Sequence, residues 1–220
     1  SNIHRLTLDK WTNYVLSDDD LNFIETIKNQ FNHINDYCEK AQVGIVSAAN
    51  EYFILKNSEI RKNRLNEISD LIKPILSKGS VLPNVLDYTS TDYLKLLEKD
   101  EKVSFIQFPD TAEINLGKIA VDYIKKGEEF KSDGKGELNK RYKMTKRLNW
   151  YHVPSVWYSV GVFVKRSHLF PKIIVNSANS LATDSFYRLK TKEDFNIKNL
   201  AFSFYNSLTF VLAELEGRFY

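Results

Sequence analysis

The sequence is poor in cysteine and has no long hydrophobic run. Cys38 is the only cysteine among 220 residues, which excludes an internal disulfide framework and a zinc site built from several cysteines. The longest charge-free helical stretch, residues 201–213, falls short of the ~18 apolar residues that a membrane span needs. With no signal peptide in view, we expect a cytoplasmic protein that does not contact a membrane.

Most catalytic motifs are missing as well. The nearest approach to a phosphate-binding glycine loop is Gly134-Lys135-Gly136, which lies in a polar run without the strand and helix that such a loop needs. No serine nucleophile elbow occurs. The histidines are scattered rather than paired at metal-ligand spacing; they are His4, His33, His152 and His168. We therefore expect no catalytic residue, no metal and no cofactor in this chain.

One enzyme pattern is present. Asp110 follows a proline, and Glu129 and Lys131 form a later Glu-x-Lys triplet. In this order they resemble the core of metal-dependent nucleases, where two carboxylates hold Mg²⁺ and a lysine positions the attacking water. The residues between them read as a helix, and Glu129 falls in a glycine-flanked loop where a nuclease has a strand. A magnesium-dependent nuclease is the alternative function.

Composition and charge are those of a globular protein with one basic region. The chain is 43% hydrophobic and 27% charged, with a net charge of +3. Seven cations and only two anions fall within residues 131–150, so the positive charge is concentrated in one place. A local excess of this kind is what a nucleic-acid-binding face requires.

Hydrophobic periodicity predicts an α+β fold of mixed or antiparallel strands packed against helices. Ser17 and Asp20 form a capping box ahead of a stripe of apolar residues at helical spacing, residues 24–34, which we expect to face the core. A helix is predicted over residues 114–124, and strand-like runs include residues 160–164, 173–175 and 186–189. Residues 200–215 predict one buried C-terminal helix. The chain reads as a single domain, residues 1–220, with a hinge near residues 131–137.

A basic and aromatic run, residues 141–151, precedes a polar loop, residues 176–184. Cations displace counterions from phosphates, and donors and acceptors read base edges. The candidate phosphate contacts are Lys143, Lys146, Arg147 and Lys172. The candidate base or groove contacts are Ser177, Asn179, Thr183, Asp184 and Arg188. Asn50 either contacts DNA or bonds within its own turn. Trp150 and Tyr151 are either stacking platforms or core aromatics.

Four segments in a fixed order carry a family resemblance. They are residues 43–53, Arg147-x-x-Trp150-Tyr151-x-Val153-Pro154, residues 170–184, and residues 205–220. In this order they resemble the C-terminal target-recognition half of TaqI-like adenine-specific DNA methyltransferases from bacterial restriction–modification systems. The family commonly has Thr-Gly where this chain has Ser47-Ala48.

The resemblance implies a DNA-binding role within a larger enzyme. In that family an N-terminal domain binds S-adenosylmethionine and methylates a flipped adenine, while the C-terminal domain grips double-stranded DNA and selects the site. This chain has no Pro-Pro dipeptide of the kind that the catalytic motif contains, so the catalytic domain is expected upstream in the same polypeptide. The remaining alternative is a non-catalytic specificity or interaction subunit, which an electrically neutral face around residues 141–151 would favour.

Overall fold

The structure is a computed structural model that describes residues 16–131, 136–167 and 170–216. Most of the predicted hinge, residues 132–135, lies outside this part. The helices of the described residues are α1 Asp18–Lys28, α2 Ile34–Tyr37, α3 Asn50–Phe53, α4 Asn57–Lys62, α5 Ser90–Glu98, α6 Lys118–Glu129, α7 Tyr142–Thr145, α8 Ile197–Phe204 and α9 Ser207–Glu216. Short 3-10 turns cover Leu65–Leu71, Gly79–Val81, Glu113–Asn115 and Leu138–Lys140. In the same residues, no helix is both long and apolar enough to cross a membrane.

Across the described residues, two four-stranded sheets organise the fold and confirm the α+β prediction. The strands are β1 Gln42–Val43, β2 Ile54–Leu55, β3 Ile72–Leu76, β4 Ser104–Ile106, β5 Gly161–Val164, β6 Ile173–Val175, β7 Leu181–Ala182 and β8 Phe186–Leu189. One sheet has the order β1-β8-β5-β6 and is antiparallel throughout. The other has the order β2-β4-β3-β7 and is mixed, because β7 pairs parallel with β3.

One stretch of chain, residues 42–50, hydrogen-bonds to both sheets; we call it the linking segment. It begins as β1 beside β8, and the Gly44 amide donates to the Phe186 carbonyl at 3.0 Å. One residue later the Ile45 amide donates to the Ala182 carbonyl of β7 at 2.7 Å, and the Asp184 amide donates back to Ile45 at 3.1 Å. The backbone at Gly44 passes so close to β7 that a side chain there would overlap the Thr183 carbonyl.

The largest hydrophobic cluster lies beneath the linking segment. Phe53, Phe105, Ile124, Met144 and other fully buried side chains come together there from α3, β4, α6 and α7. A second cluster fills the space on one face of the antiparallel sheet, around Tyr88, Val162 and Phe186. Residues far apart in the sequence therefore share a core.

The C-terminal region differs from the prediction of one buried helix. The chain forms two helices, α8 and α9, because the side-chain oxygen of Asn206 (Oδ1) accepts from the Thr209 amide and starts a new helix. Ala201 is the one buried residue of α8, Phe202 is 75% exposed, and no described side chain of α9 is buried. The pair packs on the outer face of the antiparallel sheet through α8, so this apolar stripe is half-buried.

Two other helices also depart from expectation. The capping box of Ser17 and Asp20 is confirmed, but α1 has no buried residue and Phe31 is 61% exposed. An apolar stripe is buried only where another element covers it. Helix α6 begins after Gly117, four residues later than predicted, and continues to Glu129. Glu129 therefore lies in the last turn of a helix.

Candidate nucleic-acid interface

The basic and aromatic run folds as α7 followed by a tight bend; we call residues 141–151 the basic bend. Its inner side is framework. Met144 is fully buried, Tyr151 is 2% exposed, and the Tyr151 hydroxyl donates to the Thr111 carbonyl at 2.6 Å. Trp150 packs at 5.6 Å from the ring of Tyr52 and against Gly127. Of the two readings of Trp150 and Tyr151, the structure supports core aromatics.

The outer side of the basic bend carries a different set of residues. Tyr142 is 76% exposed and Leu148 is 90% exposed, and both Lys143 and Lys146 are exposed. Helical spacing explains the division, because residues 142 and 146 lie on one face of α7 and residue 144 lies on the opposite face. The Lys146 ammonium is 5.4 Å from the centre of the Tyr142 ring. Tyr142 is thus the exposed ring of the run.

Two of the clustered cations are neutralised within the fold. Lys140 lies 2.5 Å from Glu137, and Arg141, which is 11% exposed, lies 2.7 Å from Glu51. Among the described residues neither Lys143 nor Lys146 pairs with a carboxylate. The positive face is therefore narrower than the sequence predicts, but it is not electrically neutral.

Arg147, predicted at a phosphate, instead holds the basic bend onto the linking segment. Its guanidinium donates to the Ser47 carbonyl at 2.8 Å and to the Trp150 carbonyl at 3.2 Å. It lies 6.0 Å from the centre of the Phe53 ring. Burial lowers the pKa of Arg147 from its usual value. These contacts attach the bend to the linking segment.

Asn50 bonds within its own turn, one of the two readings that the sequence left open. Its side-chain oxygen accepts from the Ser47 hydroxyl at 2.5 Å, and that hydroxyl accepts from the Ala49 amide. Asn50 is exposed. Between them Ala48 has a φ of 68°, in the left-handed region where glycine is at ease. The backbone conformation that a Thr-Gly pair would favour is therefore present with alanine in the glycine position.

The polar turn after β7 divides between surface and core. Asp184 is exposed, and its amide bonds the linking segment. Thr183 is 1% exposed, with its hydroxyl donating to the Ser77 carbonyl at 2.6 Å. Thr183 is a predicted base or groove contact, and in this structure its side chain is buried and connects β7 with the chain after β3.

Arg188, another predicted base or groove contact, is also turned into the protein. It is 4% exposed on β8, and its guanidinium lies 3.6 Å from the centre of the Trp157 ring. It donates to the Ser155 and Trp157 carbonyls at 3.2 and 3.4 Å. Burial lowers the pKa of Arg188 to about 10. A guanidinium held in this way fixes the loop of residues 152–160 onto the sheet.

The remaining predicted residues lie away from the basic bend. Ser177 donates to Asp87 at 2.9 Å, and Asn179 is exposed with a φ of 50°. Lys172 donates to Asn84 at 3.0 Å. It directly precedes β6, whereas Ser177 follows the other end of that strand. The linking segment thus contacts the basic bend and the Thr183–Asp184 turn, and its Gln42 pairs with Arg188 through the backbones of β1 and β8. Lys172, Ser177 and Asn179 do not join this arrangement.

A family model described as the C-terminal domain of the type II methyltransferase M.Eco57I matches residues 8–220, nearly the whole chain. The chain belongs to this family. Its predicted resemblance to the C-terminal part of a restriction–modification methyltransferase is confirmed at that level. No curated protein matches the chain.

The structure gives little support to the alternative function, a magnesium-dependent nuclease. Asp110 accepts from the Asn149 amide at 2.8 Å, and Glu129 lies in α6 rather than on a strand. Lys131 forms an isolated bridge with Glu137. Across the part of the chain that the structure describes, no group of three or more acidic, histidine or cysteine residues could hold a metal ion.

Two features of the interface were missed from the sequence. Glu51 neutralises Arg141 across 90 residues, and no local pattern signals such a pair. Leu148 reads as an ordinary apolar residue within a basic run, yet it is among the most exposed large hydrophobic side chains of the described residues. The available sequence signal for its exposure was its position between two polar residues, Arg147 and Asn149. In the structure both of these side chains bond toward the protein.

Proposed function

We propose that this chain is the DNA target-recognition domain of a TaqI-like, adenine-specific methyltransferase of a bacterial restriction–modification system. A catalytic domain in the same polypeptide would bind S-adenosylmethionine and transfer the methyl group, and the enzyme would act in the cytoplasm. The domain would bind double-stranded DNA and contribute to choosing the site. Membership of the M.Eco57I C-terminal-domain family supports the methyltransferase part of this proposal.

The observation that carries the DNA-binding part is the outer side of the basic bend. Lys143 and Lys146 are exposed and lack carboxylate partners among the described residues. Tyr142 stands beside them with its ring open to solvent. Cations of this kind bind phosphates, and an exposed ring packs on sugars or bases. The Arg147 and Tyr151 contacts keep these groups in place before DNA arrives.

The predicted phosphate contacts can be tested by fluorescence anisotropy with a labelled duplex at about 50 and 200 mM salt. We expect binding that weakens steeply with salt. Each phosphate contact contributes about 0.9 to the slope of log K against log salt, so Lys143→Ala with Lys146→Ala should reduce that slope by about 2.

A matched control removes the same charge elsewhere. Lys95 and Lys99 are exposed on and just after α5, outside the basic bend, and Lys95→Ala with Lys99→Ala should leave the slope nearly unchanged. Failure of the unmodified chain to bind at low salt, or equal losses in the two double variants, would contradict the assignment of the interface.

A further inference from the structure

We propose that Leu148 is a wedge that inserts between stacked base pairs when the domain binds duplex DNA. This inference rests on the proposed DNA-binding function and adds to it a specific action at the site. Leu148 is 90% exposed. Single exposed apolar residues are common on protein surfaces, so the argument depends on how this one is held and what surrounds it.

The chain on both sides of Leu148 is anchored. Arg147 bonds the Ser47 carbonyl at 2.8 Å, and the Asn149 amide donates to Asp110 at 2.8 Å. Beyond them Met144 and Tyr151 are buried. Leu148 is therefore the tip of a bend whose neighbouring side chains are turned toward the protein. A tip fixed in advance loses little conformational freedom when it enters a partner.

The same frame carries a second aliphatic tip. Ile114 is 91% exposed on the 3-10 turn Glu113–Asn115. The loop that bears it is bonded to the basic bend twice, from Asn149 to Asp110 and from the Tyr151 hydroxyl to the Thr111 carbonyl at 2.6 Å. Apolar side chains gain free energy when a partner removes them from water. Two exposed aliphatic side chains held on hydrogen-bonded loops therefore indicate a surface for apolar contact with a partner.

The charge beside Leu148 selects the partner. Lys143 and Lys146 lie within the same bend and are exposed. A partner that suits both features has anionic groups around an apolar interior. Duplex DNA has that chemistry, because phosphates border the stacked bases. DNA-binding proteins insert leucine and isoleucine between base steps in this way, partly unstacking them and bending the duplex.

The test uses the 220-residue chain and duplexes in which 2-aminopurine replaces one base at successive positions. The fluorescence of 2-aminopurine rises when the base loses its stacking. We expect the unmodified chain to raise the fluorescence at one position or two adjacent positions. Leu148→Ala should abolish this rise at saturating protein and weaken binding about tenfold. Leu148→Phe, which retains an apolar wedge, should keep the rise.

Two comparisons separate the wedge from DNA binding itself. Lys143→Ala with Lys146→Ala should lower affinity but preserve the fluorescence rise once the duplex is saturated. Leu94→Ala, at a 53% exposed leucine of α5, should change neither quantity. Urea unfolding of each variant checks that the fold is intact.

An unchanged fluorescence rise in Leu148→Ala, with salt-dependent binding retained, would overturn the wedge and leave the proposed function standing. Loss of self-association in Leu148→Ala by sedimentation, with no fluorescence change on any duplex, would assign the tip to contact between copies of the chain. Absence of binding by the unmodified chain would overturn both proposals.

Discussion

The sequence predicts both the basic bend and the polar region of residues 176–188 as binding surfaces, but the two regions place their polar side chains in opposite ways. The bend turns Met144 and Tyr151 inward and leaves Lys143 and Leu148 outside. The polar region buries Thr183 and Arg188 and leaves Asp184 exposed. Lys143 of the first region is available to a ligand, whereas Arg188 of the second region is part of the protein's interior.

Secondary structure produces this difference. In α7 the side chains are spaced by 100° per residue, and the C-cap residue Lys146 continues this spacing, so it lies opposite the buried Met144. In β8 successive side chains alternate between the faces of the sheet, so Arg188 points to the same face as the buried Phe186. The role of a basic residue cannot be read from its sequence neighbours alone. It also depends on the side-chain period of its helix or strand and on which face of that element is covered.

The largest effect is expected where the two regions are joined. Gly44→Ala places a Cβ 2.5 Å from the Ala182 carbonyl oxygen and closer still to that of Thr183. Both are backbone atoms of a hydrogen-bonded arrangement that has little room to move. We expect a loss of about 3 kcal/mol or more in the free energy of unfolding, measured in urea.

Gly117→Ala is the control for that change, because a Cβ at Gly117 meets nothing within 4 Å. Its cost should be about 1 kcal/mol or less, through a weaker cap at the start of α6. Similar losses in the two glycine variants would contradict the close approach between the linking segment and β7.

A middle-sized effect separates the two kinds of cation. Arg188→Ala removes the stack on Trp157 and leaves the Ser155 carbonyl without its donor, so we expect a loss of about 2–4 kcal/mol in stability. The affinity of the folded variant for DNA should hardly change. Lys143→Ala should do the reverse, altering stability by about 0.5 kcal/mol at most while weakening DNA binding. Urea unfolding and anisotropy together measure this contrast.

One result would contradict this contrast between Arg188 and Lys143. An Arg188→Ala protein of normal stability that no longer binds DNA would show that Arg188 leaves Trp157 to contact the duplex. The two regions would then share one role, and the buried position of Arg188 would belong to the free domain alone.

The smallest effect is a gain in stability beneath the basic bend. Ala48 has a φ of 68°, a conformation that costs an L-residue about 1–2 kcal/mol relative to glycine. Ala48→Gly also increases the freedom of the unfolded chain, so we expect a net gain of about 0.5–1 kcal/mol in urea unfolding. The control is Ala112→Gly at a φ of −63°, which should lower stability. A loss of stability in Ala48→Gly would show that the turn is not strained.

Much of the local structure follows from the sequence alone. The capping box at Ser17 and Asp20, the α+β class and the strands at residues 161–164, 173–175 and 186–189 all appear as predicted. Each depends on the chemistry and spacing of neighbouring residues, which short-range patterns record directly. The position of the basic bend was also evident, because its charge is contiguous in the chain.

Only the tertiary structure decided which side chains are covered. The stripe of α1 has no buried residue and the C-terminal stripe is half-buried, because burial depends on a partner surface from elsewhere in the chain. Glu51 neutralises Arg141, and the Trp157 ring packs against the Arg188 guanidinium. The two residues of each pair are too far apart in the sequence for a local pattern to predict the contact. The same long-range contacts turn Arg147 inward and leave Leu148 at the tip of the bend. The sequence by itself located the basic surface, and the packing beneath it determined which residues that surface presents.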